Sequence, residues 1–202
     1  ALVAFYNNCN GSNWTNNTGW LTDRVENWYG ISLDQTYTRV QEINLSNNNV
    51  SGDIPSEFSN LDALLHLNLD GNGGVTDIQA LSGLTNLNVL HLGFNPIYDF
   101  SPIQNLSNLH YLGIPSSGLS DISVISGLSN LLYLDISNYV GSEAFPNSIS
   151  DFSPLSNLTS LYSLSINGHE ISDIDFLTGL NSLSEIELNN NNVSDISIME
   201  DL

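Results

Sequence analysis

The stretch "LHYLGIPSSGLSDI" (residues 109–122) decides how this chain folds. Leu112 and Ile114 alternate with Tyr111 and Gly113, the two-residue period of a strand with one buried face. Leu109 before the strand, and Leu119 and Ile122 after it, are apolar residues among polar neighbours. The arrangement recurs. A pattern L-x-x-L-x-L-x-x-N-x-L begins at Val40, Leu64, Leu87, Leu109, Leu131, Leu161 and Leu183, at steps of 24, 23, 22, 22, 30 and 22 residues. A unit this small cannot bury its apolar side alone, so successive units must stack. Each fully buried Leu or Ile contributes roughly 1.5–3 kcal/mol, and seven stacked units can offset the ordering entropy. The expected product is a parallel sheet with one short strand per unit, the strands about 4.8 Å apart.

Two further columns run through the units. Asn48, Asn72, Asn95 and Asn191 occupy the ninth position, where a buried amide can satisfy backbone groups of adjacent turns. Ser117, Tyr139 and His169 stand there in three successive units. The return segments "VTDIQAL", "IYDFSPI", "LSDISVI", "ISDFSPL", "ISDIDFL" and "VSDISIM" place Asp77, Asp99, Asp121, Asp151, Asp173 and Asp195 at one shared position. Such a carboxylate can accept backbone N–H groups at the start of a short 3₁₀ turn. The rival reading is a ridge of carboxylates sharing calcium.

On these motifs the chain resembles a leucine-rich repeat protein over residues 40–202, and its return segments resemble the 22-residue repeats of bacterial internalin-like surface proteins. "NNNVSGDIPSEF" is similar to the plant-type repeat, with Gly52, Ile54 and Pro55 matching. Residues 1–39, with Trp14, Trp20, Trp28 and Gly30, resemble the N-terminal cap that precedes such repeats, without the cysteine pair many plant caps carry. Its aromatic residues are expected to cover the open edge of the first repeat strand. The resemblance implies an α/β solenoid: a right-handed superhelix with a concave parallel sheet and a convex side of turns and 3₁₀ pieces. It also implies a non-enzymatic recognition module, secreted or at the cell surface.

The third, fifth and seventh pattern positions face away from the core, and the second and eighth partly so. Repeats two to six place there His66, Asn68, Asp70, His91, Phe94, His110, Tyr111, Tyr133, Asp135 and Tyr162, with Gly93 and Gly113 between them as a shallow depression. The outer repeats supply mostly Asn, Ser and Glu. Between Tyr139 and Ile149 the chain is about eight residues longer than its neighbours, a length that costs little entropy in a loop. Tyr139 is expected as the base of the ligand site and Phe145, with Pro146, as its cover. Flat amphipathic rings beside carboxylates and amides suit a protein partner. They suit a polysaccharide equally, through ring stacking and hydroxyl hydrogen bonds. A third reading is a spacer or assembly module that self-associates through its C-terminal end, where "SDISIMEDL" (194–202) breaks off inside a return segment as if truncated.

Composition narrows the classes. Arg24 and Arg39 are the only Lys or Arg residues against 22 acids, a net charge of −20. Binding a phosphate backbone requires Lys and Arg to displace counterions, so nucleic acid is excluded as a partner. No apolar run approaches a membrane span. Cys9 stands alone, so neither an internal disulfide nor a cysteine metal site can form. Several N-x-S/T triplets, such as Asn13-Trp14-Thr15 and Asn157-Leu158-Thr159, are expected by chance in so Asn- and Ser-rich a chain. Starting at Ala1, it reads as a mature or excised segment. No hydrolase elbow, phosphate loop or zinc-protease motif occurs. A zinc site from His66, His91 and Asp70 is the one metal centre, calcium apart, that the pattern brings to mind. No cofactor is expected.

Overall fold

The computed structural model describes residues 1–139 and 145–201. A helix α1 (Leu2–Asn8) is followed by ten short strands: β1 (Ile31–Leu33), β2 (Val40–Asn44), β3 (Ser51–Gly52), β4 (His66–Asn68), β5 (Gly74–Val75), β6 (Val89–His91), β7 (Tyr111–Gly113), β8 (Tyr133–Asp135), β9 (Ser163–Ser165) and β10 (Glu185–Glu187). Eight form one sheet in the order β1-β2-β4-β6-β7-β8-β9-β10, and β3 pairs with β5 on the return side. From β2 to β10 every pairing in the sheet is parallel and in register. Ile43, Leu67, Leu90, Leu112, Leu134, Leu164 and Ile186 therefore align on the inner side. Short 3₁₀ turns such as Ser101–Ile103 and Ile122–Ile125 close each unit behind the sheet.

Each strand is short because the chain must turn at once. The eighth pattern position takes a left-handed backbone at Asn47, Gly71, Phe94, Ser116, Gly168 and Asn190. Gly and Asn tolerate that conformation; a bulky side chain does not adopt it without strain.

The ninth position then ties neighbouring units together. Asn72 Nδ2 donates to the carbonyls of Leu45 (3.0 Å) and Leu69 (2.7 Å), while its Oδ1 accepts the N–H groups of Asn48 (2.8 Å) and Val50 (3.0 Å). Asn191 does the same with Ile166, Leu188, His169 and Ile171. The Ser117 hydroxyl donates to Ile114 O at 2.7 Å and lies 3.5 Å from Asn147 Oδ1. His169 holds the position with an imidazole, its Nε2 2.8 Å from Ile136 O.

Tyr139 does not occupy this position, contrary to the sequence expectation. Asn147 does: it is buried, bonds Ile114 O (3.1 Å) and Ile136 O (2.9 Å), and accepts Ser117 N–H (3.0 Å) and Leu119 N–H (2.9 Å). The extra residues precede the ladder amide rather than follow it. Asn138 and Asn147 close their base: Asn138 Nδ2 donates to Asn147 O (2.8 Å) and Asn147 N–H to Asn138 Oδ1 (2.7 Å).

The aspartate column is a set of separate caps. The Oδ1 atoms of Asp77, Asp99, Asp121, Asp151, Asp173 and Asp195 each accept the backbone N–H two residues on, at 2.7–2.9 Å. The N–H groups of Ser101 and Ser197 hold Asp99 and Asp195 below the usual carboxylate range.

At the N-terminal end β1 pairs antiparallel with β2, occupying its free edge. Behind it Trp14, Trp20 and Trp28 pack in sequence, ring centroids 4.9 and 4.7 Å apart, and Phe5 joins Trp14 to Phe58. Every indole N–H finds a carbonyl: Cys9, Tyr29 and Asp23. The Cys9 thiol is buried there, which pushes its pKa up to about 12. At the other end Ile186, Leu188, Val193, Ile198 and Met199 are only partly covered.

Two measurements check the ladder. Asn147→Ala leaves buried N–H and C=O groups of two repeats without partners, so a loss of about 3 kcal/mol is expected in denaturant unfolding; a loss near zero would return the ladder position to Tyr139. Burial outweighs the Ile136 carbonyl and Asp135 and lowers the His169 pKa below its ordinary 6.5. The unfolded chain then binds the proton more readily than the folded one, so stability falls as pH drops below about 6.5. His169→Asn should melt progressively higher than the parent between pH 7 and pH 5, and a constant difference would refute the linkage.

Candidate functional site

Parallel register turns the third and fifth pattern positions into rows across the concave face. Glu42, His66, Val89, Tyr111, Tyr133, Ser163 and Glu185 align in one row; Asn44, Asn68, His91, Gly113, Asp135, Ser165 and Glu187 align in the next. Rings from both, with Tyr162 of the second pattern position, join into a continuous line. His66 lies 5.9 Å from His91, His91 4.4 Å from Tyr111, Tyr111 6.0 Å from Tyr133, and Tyr133 5.9 Å from Tyr162. A second step stands beside it, with Phe94 stacked on Tyr139 at 5.9 Å. Tyr133, Tyr139 and Tyr162 each remain about two-fifths exposed, at 41%, 42% and 41%.

Gly93 and Gly113 do not open a depression. Both are buried. A methyl group on Gly93 would meet the Pro115 ring at 2.6 Å, and one on Gly113 would come within 3.2 Å of His91 Nδ1 and Tyr111 Cε1. Neighbouring rings fill the space the missing side chains leave, and the face is correspondingly continuous.

Carboxylates accompany the rings. Glu42 Oε1 lies 3.5 Å from His66 Nδ1, and Asp70 Oδ2 3.3 Å from His91 Nδ1. Asp70 Oδ1 accepts Gly93 N–H at 2.6 Å. Asp135 accepts Ser137 N–H through Oδ1 (3.0 Å) and the Tyr139 hydroxyl through Oδ2 (3.1 Å). Glu187 accepts from Asn167 Nδ2 (2.9 Å) and Ser165 Oγ (3.2 Å), a member of the face that repeat position alone did not single out. Burial pushes the Tyr111 phenol up, with Asp135 and Asp70 adding to it; burial and then Asp135 take Tyr139 to about 12. Burial lowers the His66 pKa against the pull of Glu42, and His66 Nε2 is buried without a hydrogen-bond partner among the described residues.

Three expected members make other contacts. His110 turns to the preceding repeat, its Nδ1 2.7 Å from Asn88 Nδ2 and 2.9 Å from Asn108 O. Asn68 is spent locally, accepting Asp70 N–H at 3.0 Å. Phe145 is tied by its carbonyl to Gly118 N–H (3.0 Å), and Ser148 N–H to Leu119 O (2.7 Å), so the chain re-enters along the turn of the preceding repeat. Residues 140–144 of that loop lie outside the described residues. Among the described residues no three His, Cys, Asp or Glu side chains are grouped to hold an ion; His66 and His91 each face a different carboxylate, and the convex aspartates cap separate turns.

Both arginines lie off these rows, Arg24 with Glu26 at 3.1 Å and Arg39 with Asp62. The face therefore offers π surfaces and hydrogen-bond acceptors, with no Lys or Arg among them.

A family profile described as leucine-rich repeats in two copies matches residues 38–83. No curated protein matches the chain. Among solved structures the chain is similar to internalin C2 from Listeria monocytogenes, at 29% identity over 78% of this chain and 74% of that one, with a TM-score of 0.63. It is similar to an internalin, InlF, from the same organism at 30% identity over 82% of this chain, spanning only 55% of that one, with a TM-score of 0.60. A TDR receptor is similar over 71% of this chain and 25% of its own, at 26% identity and a TM-score of 0.56. Repeat period, in-register parallel sheet, ladder amides and these likenesses agree: the chain has a leucine-rich-repeat solenoid fold similar to that of the internalins.

Proposed function

We propose that this protein is a recognition module that holds a protein partner on its concave face, outside the cell and without catalysis. Leucine-rich-repeat folds commonly serve as protein-interaction modules. The observation that carries the reading is the unbroken ring line from His66 to Tyr162. Each ring is already held by its neighbours and by the sheet beneath, so docking a partner orders little that is not ordered beforehand. Tyr and similar rings bury large area with few torsions, which is why they dominate interface energetics. The surplus of acid and the likeness to internalins support an extracellular setting.

Phe94 adds a second support. It takes φ +57° at a position where other repeats place Gly, Asn or Ser. A bulky residue in that region is strained by about 1 kcal/mol or more. Strain of this kind is retained where the side chain is needed, and here the ring faces Tyr139 at the rim of the concave sheet.

Two results are expected. On protein and glycan arrays probed side by side, the parent should retain a protein ligand that the Tyr111→Ala/Tyr133→Ala double variant loses, by about 2 kcal/mol or some 30-fold in Kd. Undiminished binding by a variant with unchanged circular dichroism would remove the ring line from the site, and retention of polysaccharide alone would replace the protein reading with the glycan one. Phe94→Asn should melt no lower than the parent while binding at least fivefold more weakly. A lower melting temperature with full binding would make Phe94 a packing residue only.

A further inference from the structure

The chemistry of the concave face points past "a protein" to a kind of protein segment, an inference that rests on the docking role given above. Five carboxylates, Glu42, Asp70, Asp135, Glu185 and Glu187, stand in the outward-facing strand positions or immediately after them. Neither Lys nor Arg stands with them. Four of the five touch the rings or the groups beside them: Glu42 at His66, Asp70 at His91, Asp135 at the Tyr139 hydroxyl, and Glu187 at Ser165 and Asn167. Asp135 and Asp70 act on Tyr111, and Asp135 and Glu187 on Tyr139, so the negative field falls on the rings themselves.

Spacing adds a second constraint. Tyr111, Tyr133 and Tyr162 follow one another at 6.0 and 5.9 Å. Alternate side chains of an extended peptide recur about every 6.7 Å. A segment laid across the strands can therefore bring every second side chain over successive rings. A planar guanidinium can lie on such a ring and still donate to a carboxylate at its edge, a combination that the compact ammonium of Lys meets less well.

We propose that the concave face docks an extended, arginine-bearing segment of a partner polypeptide, its alternate side chains lying over the Tyr111–Tyr133–Tyr162 line beside Asp70 and Asp135. The net charge of −20 would attract any polycation loosely; the proposal concerns attraction localised on this face.

The test uses blocked octapeptides of alternating Arg and Ser, Lys and Ser, Glu and Ser, and Tyr and Ser, titrated against the whole chain at 150 mM salt. Two variants change net charge equally: Asp70→Asn/Asp135→Asn on the concave face and Asp99→Asn/Asp151→Asn on the convex caps, where asparagine can keep the Oδ1 acceptor. Saturable binding of the Arg peptide is expected, severalfold tighter than the Lys peptide, with none for the Glu peptide. The concave pair should weaken it at least tenfold and the convex pair less than twofold. Equal weakening by both pairs would reduce the effect to net charge, and no saturable Arg binding would also overturn the proposal. Tighter binding of the Tyr or Glu peptide, lost in Tyr111→Ala/Tyr133→Ala, would overturn the arginine assignment and leave the docking face standing. Arg binding that survives both the concave pair and the tyrosine pair would sink the proposal and the face together.

Discussion

The structure depends on a buried amide that serves two repeats at once. Asn72, Asn147 and Asn191 each give their N–H groups to carbonyls of their own and the preceding unit, and each takes N–H groups from the preceding turn. Around Asn72 and Asn147 those backbone groups are buried, and leaving them without partners would cost more than each bond returns when made. The amide thereby sets how one unit sits on the next. Leucines stack in line beneath the sheet as a result, and whatever occupies the third and fifth positions stacks in line above it.

That geometric consequence is what turns a tolerant repeat into a surface with a composition. A residue at one strand position acquires neighbours from the same position in adjacent repeats, about 4.8 Å away. His91 and Tyr111 come to 4.4 Å although they are twenty residues apart in the chain. Gly113 permits this, since any side chain there would press on both rings. The N-terminal cap protects the arrangement from its open side by pairing β1 against β2 and packing three tryptophans behind it.

Much of this was legible from period alone. The strand positions, the inward leucines, the ladder amides at Asn48, Asn72 and Asn95 and the rows of outward residues all follow from a repeat of fixed length. Legibility failed where the length changed. Counting forward from Leu131 puts Tyr139 in the ladder; counting back four from Asp151, as Asn95 precedes Asp99 and Asn191 precedes Asp195, finds Asn147. The insertion lies between the two counts, and only the return-segment column was unshifted by it. Side-chain direction was the other limit. His110 sits beside Tyr111 in the chain, yet its Nδ1 is engaged by Asn88 and Asn108. Nor could the pattern show that Pro115 and His91 would fill the space over Gly93 and Gly113.

Tyrosine supplies a direct reporter, because the same side chain occurs on and off the proposed face. With ring-labelled tyrosine, the NMR signals of Tyr111, Tyr133, Tyr139 and Tyr162 are expected to shift together when a bound partner or peptide is added. Tyr37 and Tyr98, at 71% and 84% exposure the most accessible of all, should stay in place. Shifts confined to Tyr37 or Tyr98, with the concave rings unmoved, would contradict docking on this face.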